Sequence, residues 1–331
     1  MQGASSLRVS ESGAALLTVL LMVAVMAAVS VAIVDDMLMA TRRTANANER
    51  GQMAWYARGA EVMAAELIAR TDEGILMRAL ADPDSTASER NFPIDGGRIH
   101  ARVRDGGNCF NLNSVVTQLE KGGYHADARG RRQYMNLLDA LGFNEQEQAE
   151  LSSALIDWID SDTRTSPRGA EDYDYAALSV PYRTGNTLLA DVSELRAIKG
   201  YDAEVVAKLR PFVCALMGAE KTQLNVNTLR PEQAALLTML VGKDLRPETA
   251  RRLIEDRPDG GYANATMFWA SEPLEGAQVD QETRSQVTLQ TRLFALEAEV
   301  TYQGAYMAVN SLFERQGDKV VLVSRKLGDV R

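Results

Sequence analysis

The sequence predicts an α+β protein: one long N-terminal helix packed on an antiparallel sheet, with a large all-helical domain inserted into that sheet. Three observations predict it. Residues 14–69 contain no proline and keep helical spacing throughout. β-type patterning occurs at 98–104 and returns only at 287–325. Between those stretches the signals are helical. A strand, a long helical excursion and then more strands make one sheet with an insert, and a sheet with one apolar face must bury it against another layer, in this case the helix.

The first part of the helix, residues 14–34, carries no charged side chain and ends at Asp35-Asp36. About 20 apolar residues are what a helix needs to cross a bilayer, because in lipid every backbone polar group must be bonded within the segment. No second run of this kind occurs, so the rest of the chain forms one ectodomain. After Met37-Leu38-Met39-Ala40, the apolar Ala45, Ala47, Met53, Ala54, Tyr56, Ala57, Ala60, Val62, Met63, Ala64, Leu67 and Ile68 recur at three- and four-residue spacing, with the polar Arg42, Arg43, Asn46, Glu49 and Arg50 between them. One helix of ~55 residues, roughly 80 Å long, is expected, with Gly51 and Gly59 as places where it can bend.

Asp82-Pro83-Asp84-Ser85 breaks the helical pattern and opens a loop. The alternation at 98–104 is a strand with one polar face. Helices are expected at 115–121, 130–141, 145–161, 192–199, 202–217, 231–241 and 247–256. Strands follow at 287–300, 302–315 and 320–325, joined at Gln303-Gly304 and Gln316-Gly317-Asp318. The expected division is 1–13, a leader; 14–34, the membrane part of the helix; 35–104, the rest of the stem and the start of the sheet; 105–284, the insert; and 285–331, the closing strands.

With 36 basic against 45 acidic residues and a net charge of -9, the chain lacks the general positive field that nucleic acid or anionic lipid attracts. Its two cysteines, Cys109 and Cys214, form a disulfide by the simplest pairing in an oxidising compartment; two buried free thiols are the alternative. Only His100 and His125 are present, without metal-ligand spacing, which argues against zinc.

Asp157, Asp160 and Asp162 gather at the end of the helix expected at 145–161, and Glu171, Asp172 and Asp174 follow after Gly169. A helix C-terminus already carries partial negative charge, so carboxylates collected there call for a cation. Calcium takes six to eight oxygen ligands from such a loop. The spacing differs from the 12-residue helix-loop-helix pattern, and a solvated loop neutralised by Arg164 and Arg168 is the alternative. Acid-base catalysis by the pair has no nucleophile or histidine to work with. Asp191 and Glu194 form a helix capping box.

Residues 191–211 and 227–254 each read as helix, glycine turn, helix. Each resembles a helix-hairpin-helix unit, a fold that binds DNA backbone, so a membrane-anchored DNA receptor of a competence-type uptake system is the rival function. Residues 220–270 balance seven basic against seven acidic residues, whereas backbone binding needs a positive stripe. Hairpins that pack the insert, and no nucleic-acid partner, are the expectation.

Gly13 followed at once by an apolar helix resembles the type III leader of pilins and pseudopilins, with Thr18 where most of them have glutamate. A plain signal anchor also fits the length. The runs Leu155-Ile156-Asp157-Trp158-Ile159-Asp160-Ser161-Asp162, Gly169-Ala170-Glu171-Asp172, Pro181-Tyr182-Arg183, Cys109-Phe110-Asn111-Leu112-Asn113 and Leu224-Asn225-Val226-Asn227-Thr228 resemble the signature of the type II secretion pseudopilin K family. The resemblance implies a pilin-like fold with an inserted helical domain, a Cys109–Cys214 disulfide and bound Ca²⁺. Asp160, Asp162, Glu171 and Asp172 carry over as ligands, with Asp157, Asp174 and Asn186 beside them. It further implies a non-enzymatic assembly protein, cut after Gly13 by the prepilin peptidase and methylated at Ala14. Such a protein is a single-pass protein of the bacterial inner membrane with its C-terminal part in the periplasm. It sits at the pseudopilus tip with I-type and J-type minor pseudopilins, on the inner-membrane secretion platform, facing the secretin or the exported protein. Thr18 in place of glutamate suits a subunit with nothing assembled above it.

Overall fold

The computed structural model describes residues 11–82 and 89–328. Residues 1–10 of the expected leader, and the loop from Pro83, lie outside the described residues. Helix α1 spans Glu11–Arg70, about 90 Å of rise. Its side chains 14–48 are exposed, and it is the one described helix long and apolar enough to cross a membrane. From Met53 onward one face is buried: Met53, Ala57, Ala60, Ala64 and Ile68, the spacing that keeps residues on one side of a helix. Trp55, Val62 and Met63 stay exposed. A second helix, α2 (Glu73–Ala81), starts at Asp72, whose carboxylate accepts from the Ile75 backbone N–H at 3.2 Å.

The sheet begins with the hairpin β1 (Glu89–Ile94) and β2 (Gly97–Asp105). β1 was not expected from the pattern. Pro93 and the exposed Arg90 and Asn91 suit an edge strand, and such a strand lacks clean alternation.

The insert contains β3 (Phe110–Asn111), β4 (Val116–Gln118), β5 (Tyr124–Ala126), α3 (Ala128–Ala140), α4 (Glu145–Ile159), α5 (Asp172–Ala176) and α6 (Ala203–Leu209). There follow β6 (Val213–Cys214), β7 (Leu224–Asn225), α7 (Ala234–Val241), α8 (Pro247–Glu255), α9 (Ala265–Trp269), α10 (Gln281–Arg284) and β8 (Val287–Thr288). It is helical in substance, with three two-stranded ladders: β3 with β6, β4 with β5 and β7 with β8. Three expectations are corrected. The helix at 115–121 is a short 3₁₀ turn running into β4, where the β-branched Val115, Val116 and Thr117 favour extension. The helix at 202–217 stops at Leu209, because Pro211 cannot continue it. The strand at 287–300 splits, its start leaving to pair with β7.

The chain returns through β9 (Leu293–Tyr302), β10 (Ala305–Gln316) and β11 (Lys319–Leu327). The antiparallel order is β1-β2-β9-β10-β11. The β9–β10 turn has Gln303 at φ 50° and Gly304 at φ 84°, the left-handed pair a two-residue hairpin demands. Phe294, Leu296, Ala298 and Val300 alternate inward from β9 onto the stem helix. A second, larger core runs from Phe110 to Val287 inside the insert.

Buried asparagines tie the loops of the insert together, among them Asn113 of the first Asn-x-Asn motif and Asn225 of the second. Asn108 Nδ2 donates to Thr228 Oγ1 at 2.9 Å, and the Asn225 backbone N–H donates to Asn108 Oδ1 at 2.8 Å. Asn113 Nδ2 donates to the carbonyls of Leu189 (2.9 Å) and Leu216 (2.7 Å). An asparagine saturated by backbone in this way fixes loops that carry no regular structure of their own. Beside them Cys109 and Cys214 form the disulfide, a pairing that excludes the free-thiol alternative.

Candidate metal site at the end of helix α4

Helix α4 is started by Asn144, which accepts from the backbone N–H groups of Gln146 and Glu147, both at 3.0 Å. Its last two turns, Leu151 to Ile159, are buried without a break, so Asp157 reaches the interior with them. Asp157 is 0 % exposed, Glu171 2 % and Asp160 6 %. Asp160 caps the helix and turns the chain out to the exposed Asp162. The loop then folds back through Gly169, where an added Cβ would stand 1.9 Å from Asp157 Oδ2; only glycine permits that approach. This brings Glu171 onto the first group, with ligand oxygens of Asp160, Asp162 and Glu171 all within 4.8 Å of one another.

The hydrogen bonds leave one oxygen of each buried carboxylate over. Asp157 Oδ2 accepts from the Ser166 backbone N–H at 3.0 Å, while its Oδ1 has no partner. Glu171 Oε2 accepts from the Asp172 N–H at 3.3 Å and Oε1 has none. Asp160 Oδ1 and Asn186 Oδ1 are also unpartnered and buried. Asn186 sits at φ 46°, its backbone N–H donating to the Trp158 carbonyl at 2.9 Å. Burial first, then the negative charges of Asp162, Asp157 and Glu171, push Asp160 up to about 7. Burial likewise raises Asp157 and Glu171 above the usual carboxylate range, against the hydrogen bonds they accept. The gathered oxygens of Asp160, Asp162 and Glu171, with Asp157 Oδ1 and Asn186 Oδ1 also buried without donors, are a hard-oxygen donor set that fits a divalent cation such as Ca²⁺.

Two expected ligands are engaged elsewhere. Asp172 Oδ1 accepts from the Thr184 N–H and hydroxyl, both at 2.9 Å, which holds its carboxyl below the usual range. Asp174 accepts from the Glu171 N–H at 3.2 Å and pairs with Lys199 at 3.1 Å. Sequence reasoning did not single out Thr184; a threonine twelve residues away gives no signal. Among the described residues Arg164 and Arg168 make no ion pair with the cluster. The Asp191–Glu194 capping box is present, with Ser193 N–H donating to Asp191 at 2.7 Å and Asp191 N–H to Glu194 at 2.9 Å. Asp191 also pairs with Lys326 of β11.

Both hairpins turn at glycines of positive φ, Gly200 at 89° and Gly242 at 78°. Every residue of α7 is buried, and Asp244 in its turn accepts from the Gln278 N–H at 3.2 Å. These hairpins are packing elements of the insert.

A stem helix of membrane length laid on one face of an antiparallel sheet, with an acidic pocket in a helical insert, is the architecture of a minor pseudopilin. The chain belongs to the type II secretion system protein K family: the family's two models match residues 108–218 and 224–290. Type II secretion system protein K of Klebsiella pneumoniae is 34% identical over 325 residues, covering 96% of this chain and 97% of that one. That of Pectobacterium carotovorum is 31% identical over 331 residues, covering 98% and 99%. A chain in the crystal structure of the GspK-GspI-GspJ complex of the enterotoxigenic Escherichia coli type 2 secretion system matches with a TM-score of 0.70. It is 29% identical, over 87% of this chain and 99% of that one.

Proposed function

We propose that this chain is the tip subunit of the type II secretion pseudopilus, where it starts assembly with an I-type and a J-type minor pseudopilin and supports protein export across the outer membrane. The observation that carries the reading is the likeness, along nearly the whole length of the relative, to a chain crystallised with two such partners. Thr18 supports it, since a subunit that starts assembly has no earlier subunit above it for a carboxylate at this position to dock onto. The bulk of the insert beside the sheet supports it as well, because it leaves no room for another stem to stack above. Cleavage after Gly13 and methylation of Ala14 by the prepilin peptidase, insertion of 14–34 in the inner membrane and a periplasmic position for the rest complete the reading, with assembly on the inner-membrane platform and contact with the secretin at the far end.

In this role Asp157, Asp160, Asp162, Glu171 and Asn186 hold Ca²⁺, which supplies the positive charge their unpartnered oxygens lack and orders residues 157–186. The role of the ion is structural.

Purification of the full-length chain from native inner membrane, with mass spectrometry of its N-terminus and of the chains that accompany it, tests the proposal. An N-terminus at Ala14 and two smaller pilin-like companions are expected. A start at Met1, or the absence of companions, would overturn it.

A further inference from the structure

Positive side chains gather where β2 meets the turn that leads into α7. Arg102 and Arg104 of β2 and Arg230 of that turn line one space between the sheet and the insert. Arg230 is half-buried and, among the described residues, in no ion pair. Arg104 reaches Glu297 of β9 with one terminal nitrogen, while its Nε–H is buried and has no acceptor. Burial first, then the charge of Arg104, hold Arg230 below its ordinary value; Arg102 adds to this, and the carboxylates of Glu232 and Glu297 offset only part of it.

The acids nearby do not supply the missing acceptor. Asp105 lines the same space, yet its oxygens are spent: Oδ1 accepts from the Gly107 N–H at 2.8 Å, and Oδ2 accepts from the Thr228 hydroxyl at 2.6 Å and from the Thr291 hydroxyl. Asp82 and Glu232 are exposed, where water and salt screen their charge. A buried N–H without an acceptor is costly, and so are like charges lining one half-buried space. One anion relieves both, because guanidinium donors form forked, charge-assisted hydrogen bonds to a carboxylate.

We propose that this space is the seat of a single carboxylate, held by the Arg104 Nε–H and the Arg230 guanidinium and so bridging a strand of the sheet to a turn of the insert. Size selects the ligand. The space measures about 20 Å³, above the ~10–15 Å³ that one water needs and too small for a nucleotide or a sugar. The carboxylate is either an acidic side chain of a partner subunit or a free small acid from solution, and both present the same two oxygens to the arginines.

Thermal unfolding of the full-length chain in lipid nanodiscs, with calcium present throughout, tests the site as sodium formate replaces sodium methanesulfonate, a bulkier anion, at constant ionic strength. The isolated wild type is expected to gain melting temperature with a saturable dependence on formate. Arg230→Gln is expected to lose that dependence. Arg104→Lys, which keeps a charge for Glu297 but lacks the buried Nε–H, is expected to need at least tenfold more formate, and it decides alone should Arg230→Gln fail to fold. No saturable shift in the wild type, or a wild-type midpoint in either folded variant, would overturn the site. The same titration of the chain together with its pilin-like companions separates the two sources. A shift that vanishes there assigns the seat to a partner's carboxylate, and a shift that persists assigns it to a free acid.

Discussion

Glu61 on the stem and Asp157, Asp160 and Glu171 in the insert are all carboxylates taken out of water, at 4 %, 0 %, 6 % and 2 % exposure, yet their surroundings are opposite. Glu61 lies on the buried face of α1. Ser311 Oγ donates to it at 2.5 Å and Arg325 Nε at 2.7 Å, with a second Arg325 nitrogen on its other oxygen. Burial pushes its carboxyl up, and the bonds and charge of Arg325 with the Ser311 bond outweigh that and hold it below its ordinary value. The buried acidic pocket meets further carboxylates and a few N–H and hydroxyl donors but no cation among the described residues, and Asp157, Asp160 and Glu171 rise. For Glu61 the stem and sheet thus carry the countercharge within the chain, whereas the pocket carboxylates of the insert have none among the described residues, and on the proposed reading an ion from solution supplies it.

The widest test of this contrast is calcium itself. At a calcium concentration about a hundredfold above the dissociation constant, binding to the folded state alone adds about 3 kcal/mol of stability. Denaturant unfolding of the full-length chain, followed by the insert's Trp158 and Trp269, is expected to shift by that amount between calcium and EGTA. Asp157→Asn is expected to remove the shift. Identical transitions in both conditions would break the contrast.

The stem side is probed by Arg325→Met, which leaves Glu61 buried without its cation. Breaking a fully buried pair from one side costs about 3–5 kcal/mol. Arg325 keeps some access to water, its side chain being 36% exposed, so about 2 kcal/mol is expected, and the same loss should appear in calcium and in EGTA. A loss that calcium restores would mean that the two regions are coupled.

These two sites also show what the sequence discloses. The stem is legible because apolar residues repeat at helical spacing over a long stretch, although the exposed Val62 and Met63 share that spacing with the buried face, and the acidic pocket because its carboxylates cluster along the chain. Glu61 was not legible as a site: its partner Arg325 comes from the far end of the chain, and only β10–β11 pairing brings it in. For the same reason Asp172 and Asp174 read as ligands, although Thr184 and Lys199 occupy them. β1 stayed hidden behind Pro93, and the short ladders behind asparagines whose partners lie a hundred residues away. Local periodicity and local charge can be read directly, whereas a contact made by topology cannot.

Gly169→Ala sharpens the comparison inside the pocket. The new methyl would stand 1.9 Å from Asp157 Oδ2, so the carboxylate must turn away while all its charge remains. Calcium affinity measured by calorimetry is expected to fall about tenfold, equivalent to about 1.4 kcal/mol, and the metal-free chain to lose about 1–3 kcal/mol to overpacking. Unaltered affinity would remove Asp157 from the ligand set.

The finest effect is a change of sign with pH. In the metal-free chain Asp160 titrates at about 7 instead of its ordinary 3.8, so the folded state binds more protons than the unfolded one across that window. Stability therefore falls as pH rises from about 4 to about 7, by at most about 1.4 kcal/mol per pH unit for each proton. Glu61, held low, contributes stability that is present above its ordinary 4.5 and lost only as pH falls below it, so above 4.5 the slope comes from carboxyls that burial raises, Asp160, Asp157 and Glu171 in the pocket and Asp105 at the end of β2. With calcium bound the protons compete with the metal for the same oxygens, and stability in that window should rise with pH. Unfolding curves at several pH values, with calcium and with EGTA, are expected to show slopes of opposite sign for the wild type. Asp160→Asn reduces the metal-free slope and leaves the loss below pH 4.5 in place, because that loss belongs to carboxyls held low elsewhere, Glu61 and Asp280 among them. Slopes of the same sign in both conditions would mean that the pocket carboxylates titrate without reference to the ion.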